Sequence, residues 1–219
     1  MLRVAVRRKG LVDYAAGLDL QKAAREEVLA GLWDGVLLLL EHRPVITTGR
    51  GGGLENFKYD RHWLEEKGID LQDTERGGNI TCHNPGQLVG YPVLNLSLWR
   101  QDVHWYVERL EEVLIQMLAE WDVLAGRKAC YTGAWVKDRK IAAIGVSVRH
   151  WITGHGFALN VDNDLSLFQA VVPCGIEEFG VTSLAAEGIA IMLPEVIERT
   201  AATFAQVFEC EVFDEEKGN

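Results

Sequence analysis

The first forty residues show two hydrophobic periodicities in succession. Apolar and polar positions alternate over residues 2–6, which predicts an opening strand. From Leu20 to Val28 the apolar residues recur at helical spacing, and Gly31 ends the pattern, so a helix is expected there. Residues 36–40 form an unbroken apolar run, which favours a strand covered on both faces over a helix of that length.

A longer amphipathic pattern begins after Asp102, a favourable N-cap residue. Its apolar positions share one helical stripe that ends before Gly126, which predicts a long helix. The stripe consists of Val103, Val107, Leu110, Leu114, Met117, Leu118 and Trp121.

The last part of the chain predicts several strands and then a helix. Residues 129–161 are rich in Val, Ile, Trp and Tyr, and glycines interrupt them, so strands joined by tight turns are expected. Pro194 then opens a final amphipathic helix. The interrupting glycines are Gly133, Gly145, Gly154 and Gly156, and the inward positions of the helix are Ile197, Ala201, Phe204 and Phe208.

The order of these elements defines the expected fold class. Strands and helices do not alternate regularly, which predicts a mixed α+β fold rather than a doubly wound parallel sheet. The chain has no internal repeat and no segment of linker composition, so residues 1–219 are expected to form a single domain.

Composition and charge narrow the function classes. The chain has 219 residues, 48% of them apolar and 25% charged, which is typical of a globular protein with a sizeable core. The net charge of −10 disfavours nucleic acid as a main partner. The four cysteines are scattered and form no CxxC pair, which predicts a reducing, cytoplasmic location and neither a metal site nor a disulfide scaffold. No apolar run is long enough for a signal peptide or a membrane span, so no membrane association is expected.

Glycine clusters point to a small-molecule pocket. They occur at residues 49–53, 77–90 and 154–156, beside polar residues. Such clusters mark either turns or places where backbone N–H groups approach a ligand closely. No P-loop and no dinucleotide-binding motif is present, so no nucleotide cofactor is expected.

Cys174 is the candidate nucleophile. It lies between Pro173 and Gly175, which favour a turn that could present the side chain, although a free cysteine is commonly a small buried hydrophobe. A nucleophilic thiol needs a base or a neighbouring cation, and the candidates are Lys140, His83 and His155. Spacing alone does not choose among them. Cys130 and Cys210 have apolar neighbours and are expected in the core.

Several segments, in order along the chain, resemble the motifs of the lipoyl(octanoyl) transferase family. Each would be weak alone, but together they are specific and extend over about residues 35–185. The segments are EHRPV at 41–45, RGGNITCHNPGQLVGYP at 76–92, KIAAIGV at 140–146, HGFALNV at 155–161, PCGI at 173–176 and VTSL at 181–184.

The resemblance implies an acyltransferase that moves an octanoyl group from octanoyl-acyl carrier protein to a lysine of a lipoyl domain. The acceptors would be the lipoyl domains of 2-oxoacid dehydrogenases and the glycine-cleavage H protein. By position, Cys174 would carry the octanoyl thioester and Lys140 would handle its proton. The implied fold is that of the biotin and lipoate protein ligases, with a mixed sheet flanked by helices. No cofactor and no metal are implied, and a monomer is expected.

The resemblance also implies three substrate-contact segments. They comprise Arg76, Gly77, Gly78, Asn79, Ile80, Thr81, Cys82 and His83, then Ala143, Ile144 and Gly145, and finally Gly156, Phe157 and Ala158. The chain departs from the usual family pattern at two positions, where Cys82 replaces a tyrosine and Asn84 replaces a glycine. An oxyanion could be held by backbone N–H groups of the expected Gly145 or Gly175 turns.

Other functions remain open at this stage. An ATP-dependent lipoate or biotin ligase would share the fold without needing Cys174, and a cysteine acyl-thioester hydrolase would pair Cys174 with His83 or His155. A non-catalytic acyl-binding module is a further alternative. Both protein partners in the family tend to be acidic, so basic residues near the motifs either gather as a patch at the mouth of the site or are scattered, solvated charges, and the sequence leaves both open. The candidates are Arg43, Arg50, Arg76, Lys137, Arg139 and Arg149.

Overall fold

A computed structural model describes residues 1–53, 57, 61–171 and 179–215. The helices are α1 (Tyr14–Leu29), α2 (Arg61–Lys67), α3 (Val103–Ala119) and α4 (Leu193–Val207). The first six strands are β1 (Leu2–Val12), β2 (Gly35–His42), β3 (Val45–Thr48), β4 (Asp70–Asp73), β5 (Thr81–His83) and β6 (Gln87–Leu94). The later strands are β7 (Gly126–Lys128), β8 (Tyr131–Val136), β9 (Arg139–Arg149), β10 (Ile152–Asn160), β11 (Gly180–Val181) and β12 (Cys210–Asp214).

Within the described ranges the strands form one large and one small sheet. The large sheet has the order β12-β1-β2-β6-β10-β9-β8-β7, and β11 pairs with β9. β1 is parallel to both β12 and β2, β11 is parallel to β9, and the other pairs of this sheet are antiparallel. The small sheet has the order β4-β3-β5. This mixture confirms the predicted α+β class.

The apolar run 36–40 lies in the central strand β2 and is buried on both faces, as predicted. Its even-numbered residues pack with Ala24 and Val28 of α1 on one side of the sheet. Leu37 and Leu39 pack on the other side, in the cluster that contains residues of α3 and α4. Because side chains alternate across a strand, two helical layers on opposite faces require apolar residues at every position.

The predicted helices are present, with small differences at their ends. The Asp102 side chain accepts a hydrogen bond of 3.1 Å from the Trp105 N–H, which caps α3 as expected. α3 ends at Ala119, before the last predicted stripe residue. Pro194 lies in the first turn of α4, and Phe208 is buried just after the end of that helix. None of the helices in the described ranges is both long and apolar enough to cross a membrane.

The prediction of glycine turns between residues 129 and 161 was wrong. The expected strands are present as β8, β9 and β10, but all four glycines lie inside them. The turns instead use Lys137, His150 and Trp151, which adopt φ values of 54°, 53° and 61°. Glycine is needed where strands approach closely: a Cβ atom on Gly156 would lie 2.1 Å from the Gly90 carbonyl oxygen.

Candidate functional site

A cavity of about 590 Å³ lies along the outer edge of β9. β8 pairs with β9 only as far as Ala134 and Ala142, and beyond this point the cavity takes the place of a neighbouring strand. The residues predicted from the sequence that line the cavity are Arg76, Gly77, Gly78, Asn79, Ile80, Thr81, His83, Lys140, Ala143, Ile144, Gly145, Gly156, Phe157 and Ala158. Segments far apart in the chain therefore meet at one place.

Two predicted site residues are not among the lining residues. Cys82 is fully buried in the apolar cluster around Ile46, and its thiol contacts the Leu167 carbonyl oxygen at 3.6 Å. The tyrosine that the family usually has is thus replaced here by a small residue behind the cavity wall. Cys174 and the rest of segment 172–178 lie outside the described residues. The oxyanion donor expected from Gly175 lies outside them as well.

The edge of β9 presents backbone groups to the cavity at alternate residues. The Val146 carbonyl accepts the Gly77 N–H at 2.8 Å, so the backbone groups of Val146 point away from β10. Because backbone groups alternate in direction along a strand, the N–H and C=O of Ile144 point to this same side. Those of Gly145 point towards its partner Gly156 in β10. The expectation of a Gly145 turn is therefore corrected, because Gly145 lies inside β9, and among the described residues the Ile144 N–H is a backbone donor directed to the cavity side.

Lys140 is half-buried at the start of β9 and is fixed on both sides. Its backbone pairs with Trp135 of β8 and Val181 of β11. Its Nζ atom lies 4.8 Å from the centroid of the Trp135 ring. The lysine is thus held against the apolar surface of an aromatic ring.

The glycine clusters surround the buried side chain of Arg76. Its Nη2 donates hydrogen bonds of 2.7 and 2.8 Å to the carbonyl and hydroxyl oxygens of Thr47. A Cβ atom on Gly49 would lie 2.8 Å from Arg76 Nη1, and one on Gly145 would lie 2.9 Å from the Gly77 carbonyl oxygen. These glycines therefore allow the loops to close around a guanidinium group. The N–H groups of Gly49 and its neighbours are bonded within the protein, so they are not the ligand donors that the clusters suggested.

His83 is a neutral, buried residue with a defined tautomer. The Gln87 amide nitrogen donates to Asn160 Oδ1 at 2.9 Å, so the Gln87 amide oxygen faces His83 Nδ1, 2.7 Å away, and accepts its hydrogen. Burial, with the nearby His42 and Arg76, lowers the pKa of His83 to about 3. At neutral pH, His83 is therefore uncharged and a weak base.

His155 is also buried and uncharged. Burial, assisted by the Arg76 charge, lowers its pKa to about 4. It lies inside β10 with a φ of 55°, rather than in the turn that the flanking glycines suggested. Its N–H donates to Gln21 Oε1 at 2.7 Å. A left-handed backbone at a cavity-lining residue that is not glycine is a form of strain commonly found at functional sites.

A chain of hydrogen bonds connects Lys140 to His83 beneath the cavity. Thr182, whose N–H bonds to the Lys140 carbonyl, has its own carbonyl bonded to Asn160 Nδ2 at 2.9 Å. Asn160 accepts from Gln87, which in turn accepts from His83. Gln87 and Asn160 were not predicted as site residues, although both lie in the quoted motifs. Their types gave the clue, since a buried amide must find several hydrogen-bond partners.

Other cavity residues were missed because their pattern is typical of a core. Val103 and Val107 belong to the apolar stripe of α3, but they line the cavity, and Val103 is 38% exposed. Cys130, which was expected in the core, is exposed and lines the cavity with a φ of 70°. Cys210 is buried, as predicted. Periodicity cannot distinguish a helix face that meets a core from one that meets a ligand.

The basic residues near the motifs differ in their surroundings. Arg76 is buried, and Arg43 and Arg139 pair with Asp13 and Glu187 at 3.1 and 2.8 Å. Lys137 lies in the turn before β9, and Arg149 is the last residue of that strand. Over the described ranges, no group of three or more His, Cys, Asp and Glu side chains is arranged to hold a metal ion.

The amino-acid sequence of this chain is similar to those of known proteins. Residues 13–205 match the family model described as the lipoyl protein ligase A/B catalytic domain. The chain is 48% identical over 210 residues to an octanoyltransferase from Caldanaerobacter subterraneus subsp. tengcongensis, which covers 95% of this chain and 92% of the relative.

Solved structures with the same fold include lipoate protein ligases. Lipoate-protein ligase A bound with ATP superposes with a TM-score of 0.76 at 15% identity, covering 97% of this chain and 87% of the ligase. A bipartite lipoate protein ligase from Thermoplasma acidophilum, described with its E2 lipoyl domain, gives a TM-score of 0.74 at 16% identity, covering 97% and 86% of the two chains. The predicted ligase-like fold is therefore confirmed.

Proposed function

We propose a reaction for this chain on one premise: the chain belongs to the lipoyl protein ligase A/B catalytic domain family, and within it to the octanoyltransferases. It is an acyltransferase that moves an octanoyl group in protein lipoylation. We infer that the donor is octanoyl-acyl carrier protein. The acceptor is a lysine of a lipoyl domain, such as those of 2-oxoacid dehydrogenases and the glycine-cleavage H protein. Between donor and acceptor, Cys174 carries the octanoyl group as a thioester.

The observation that supports this most strongly is the cavity at the edge of β9. Lys140 and the three expected contact segments, 76–83, 143–145 and 156–158, all contribute to its lining. Both sheets supply walls, which supports treating residues 1–219 as one catalytic domain. Apolar walls with a few polar groups suit an acyl chain that ends in a reactive carbonyl.

The first step forms the acyl-enzyme. The Cys174 proton moves to the neutral amine of Lys140, and the resulting thiolate attacks the octanoyl carbonyl carbon. The bond from that carbon to the sulfur of the carrier breaks, and the departing thiolate takes a proton from Lys140. In this proposal the Ile144 N–H, which faces the cavity side, donates to the negative oxygen of the intermediate.

The second step forms the amide. The acceptor amine attacks the thioester, the carbon–sulfur bond to Cys174 breaks, and the amine proton returns to the cysteine through Lys140. Thioester exchange is nearly balanced and amide formation is downhill. The sequence of steps therefore needs no nucleotide.

The electrostatics of the cavity favour Lys140 over the histidines as the group that moves the proton. The pKa values of His83 and His155 are lowered to about 3 and about 4 by burial, with Arg76 contributing to both. A base this weak is poorly matched to a thiol at neutral pH. This argues against the hydrolase alternative, which requires one of these histidines as its base.

The octanoyl chain itself supplies binding energy. Its seven carbons beyond the carbonyl would contribute at most about 6 kcal/mol at roughly 0.8 kcal/mol per buried carbon, before ordering costs. Val103 and Val107 of α3, with Ile144 and Phe157 of the sheet, provide apolar surface in the cavity. Since one methylene changes preference only about tenfold, longer chains must be rejected by the end of the cavity.

The test is a mass measurement without ATP. The protein is incubated with octanoyl-acyl carrier protein, and the adduct is located by digestion. We expect octanoyl on Cys174, none in Cys174→Ala, and a much slower gain in Lys140→Met. Cys130→Ala is the matched control, because that thiol also lines the cavity.

Each contrary outcome identifies an alternative. Octanoyl on Cys130, or full transfer by Cys174→Ala, would overturn the proposed intermediate. A requirement for ATP would favour the ligase reaction, whose known structures share this fold. Release of free octanoate in the presence of a lipoyl domain would favour a hydrolase.

A further inference from the structure

We propose that Trp135 is a positioning residue that holds the ammonium form of Lys140 over its indole face. This inference rests on the proton-transfer role of Lys140 proposed above and extends it to a residue outside the cavity lining. In the first step the Cys174 S–H bond breaks and an N–H bond forms on Lys140. A group that stabilises the ammonium therefore stabilises the state from which the thiolate attacks.

The contact is built into the sheet. Trp135 in β8 and Lys140 in β9 are paired residues, so their side chains lie on the same face. Lys140 Nζ is 4.8 Å from the ring centroid, within the range of a cation–π interaction. The ring is only 5% exposed, which limits competition from water.

The indole is fixed by its own surroundings. Its Nε1 donates to the Tyr131 carbonyl oxygen at 3.1 Å. The Phe179 ring packs against it with centroids 5.5 Å apart, and Tyr131 packs against Phe179 at 5.4 Å. Phe179 is also the first described residue after segment 172–178, which contains Cys174. The aromatic cluster therefore joins the Lys140 strand to the chain immediately after that segment.

Lys128 in β7 places a second ammonium near the same ring, but with partners of its own. Its Nζ lies 5.5 Å from the Trp135 centroid, 3.9 Å from the Phe179 centroid and 2.5 Å from an Asp138 carboxylate oxygen. Asp138 therefore balances this charge. The lysine at the cavity, Lys140, is the one closer to the indole.

Several charged groups on the described elements near Lys140 are paired with one another. Arg139, its neighbour in β9, pairs with Glu187 at 2.8 Å, and Thr182 also bonds to Glu187. On α3, Glu111 pairs with Arg127 of β7 at 3.0 Å. The Trp135 face lies beside these pairs and is the cation–π contact of Lys140.

Two substitutions of Trp135 separate the aromatic face from its other contacts. Trp135→Phe and Trp135→Leu both lose the indole hydrogen bond to Tyr131, but only the first retains a π face. Trp33→Leu is the matched control, because it removes a tryptophan–cation pair, with Arg3 at 5.6 Å, that is not part of the cavity lining.

The readout is trace acetylation of Lys140 by acetic anhydride between pH 7 and pH 11, mapped by mass spectrometry against a standard amine. Labelling is plotted against pH. The plateau at high pH reports the accessibility of the Lys140 amine, and the position of the rise along the pH axis reports its protonation. In Trp135→Leu we expect labelling at pH 8, relative to its own plateau, to rise about threefold to tenfold. Trp135→Phe should change less, and Trp33→Leu should match the unmodified protein.

Identical profile positions for all four proteins, or a shift to higher pH in Trp135→Leu, would overturn the role of the ring. If Trp135→Leu fails to fold, fluorinated tryptophans weaken the ring's negative face with little change of shape and must shift the profile in the same direction. Octanoylation of the unmodified protein is measured in parallel. Normal octanoylation of Cys174 without a profile shift refutes Trp135 alone, whereas no octanoylation at Cys174 refutes the proposed function.

Discussion

The aromatic ring of Phe157 in β10 lies directly over Gly90 in β6. The two residues are paired across the strands, and a Cβ atom on Gly90 would lie 2.1 Å from the ring carbon Cζ. Phe157 is 2% exposed and forms part of the cavity wall. The absence of a side chain at Gly90 therefore allows the Phe157 ring to occupy this position in the wall.

Replacing Gly90 by alanine should therefore destabilise the protein and disturb the cavity. We expect the free energy of unfolding, measured by urea titration, to fall by about 1–3 kcal/mol or more, because the ring must leave its preferred position. Gly126→Ala is the control, since nothing lies within 4 Å of a Cβ there. Combining Gly90→Ala with Phe157→Leu should recover part of the loss, and simple additivity of the two changes would contradict the steric explanation.

The anchoring of Arg76 by Thr47 gives a second prediction. Thr47 is fully buried, and its hydroxyl accepts from Arg76 Nη2 at 2.8 Å. Thr47→Val keeps the shape but leaves the guanidinium short of an acceptor, so we expect a loss of about 1–3 kcal/mol in stability and slower octanoyl transfer. Thr47→Ser, which keeps the hydroxyl, should lose much less. Equal effects of valine and serine would show that the hydrogen bond is unimportant.

The buried histidines predict a dependence of stability on pH. Burial lowers the pKa of His42 and His155 to about 4 and that of His83 to about 3, below the usual value of about 6.5. Between about pH 4 and pH 6.5 the unfolded chain therefore binds more protons than the folded chain. The contribution of the neutral histidines to the free energy of unfolding is complete above about pH 6.5 and is lost as the pH falls towards 4.

The measurement is the free energy of unfolding at pH 6.5 and pH 5, where most carboxyl groups stay ionised. Each buried histidine should account for a loss of about 1–2 kcal/mol over this interval. In His83→Asn the new amide can still donate to Gln87, and the loss of unfolding free energy between pH 6.5 and pH 5 should be smaller by the contribution of one histidine. An unchanged slope in that variant would mean that His83 is protonated in the folded protein.

The described cysteines should differ sharply in reactivity. Burial raises the pKa of the Cys82 and Cys210 thiols, whereas Cys130 is exposed at the cavity. Under native conditions we expect a maleimide probe, located by digestion, to label Cys130 rapidly, and Cys82 and Cys210 only after unfolding. Rapid native labelling of Cys82 would mean that the wall around Ile46 opens.

Local patterns predicted most of the secondary structure. The helix after Asp102, the helix opened by Pro194 and the doubly covered strand at 36–40 all follow from hydrophobic period and capping chemistry, which act between residues close in the chain. The turns were misassigned because glycine has two uses. In this chain Gly133 and Gly156 relieve contacts between neighbouring strands, and Gly145 relieves a contact with the Gly77 carbonyl, which no local pattern reveals.

By itself, the sequence determined the fold class, the family and the candidate chemistry, because periodicity and motif order are properties of the linear chain. Only the tertiary structure decided which atoms meet. It turned the Ile144 N–H, rather than that of Gly145, towards the cavity, placed Lys140 over Trp135, enclosed Arg76 in glycine loops and exposed Cys130. These relationships depend on strand register and on close packing between distant segments, and neither is encoded in spacing along the chain.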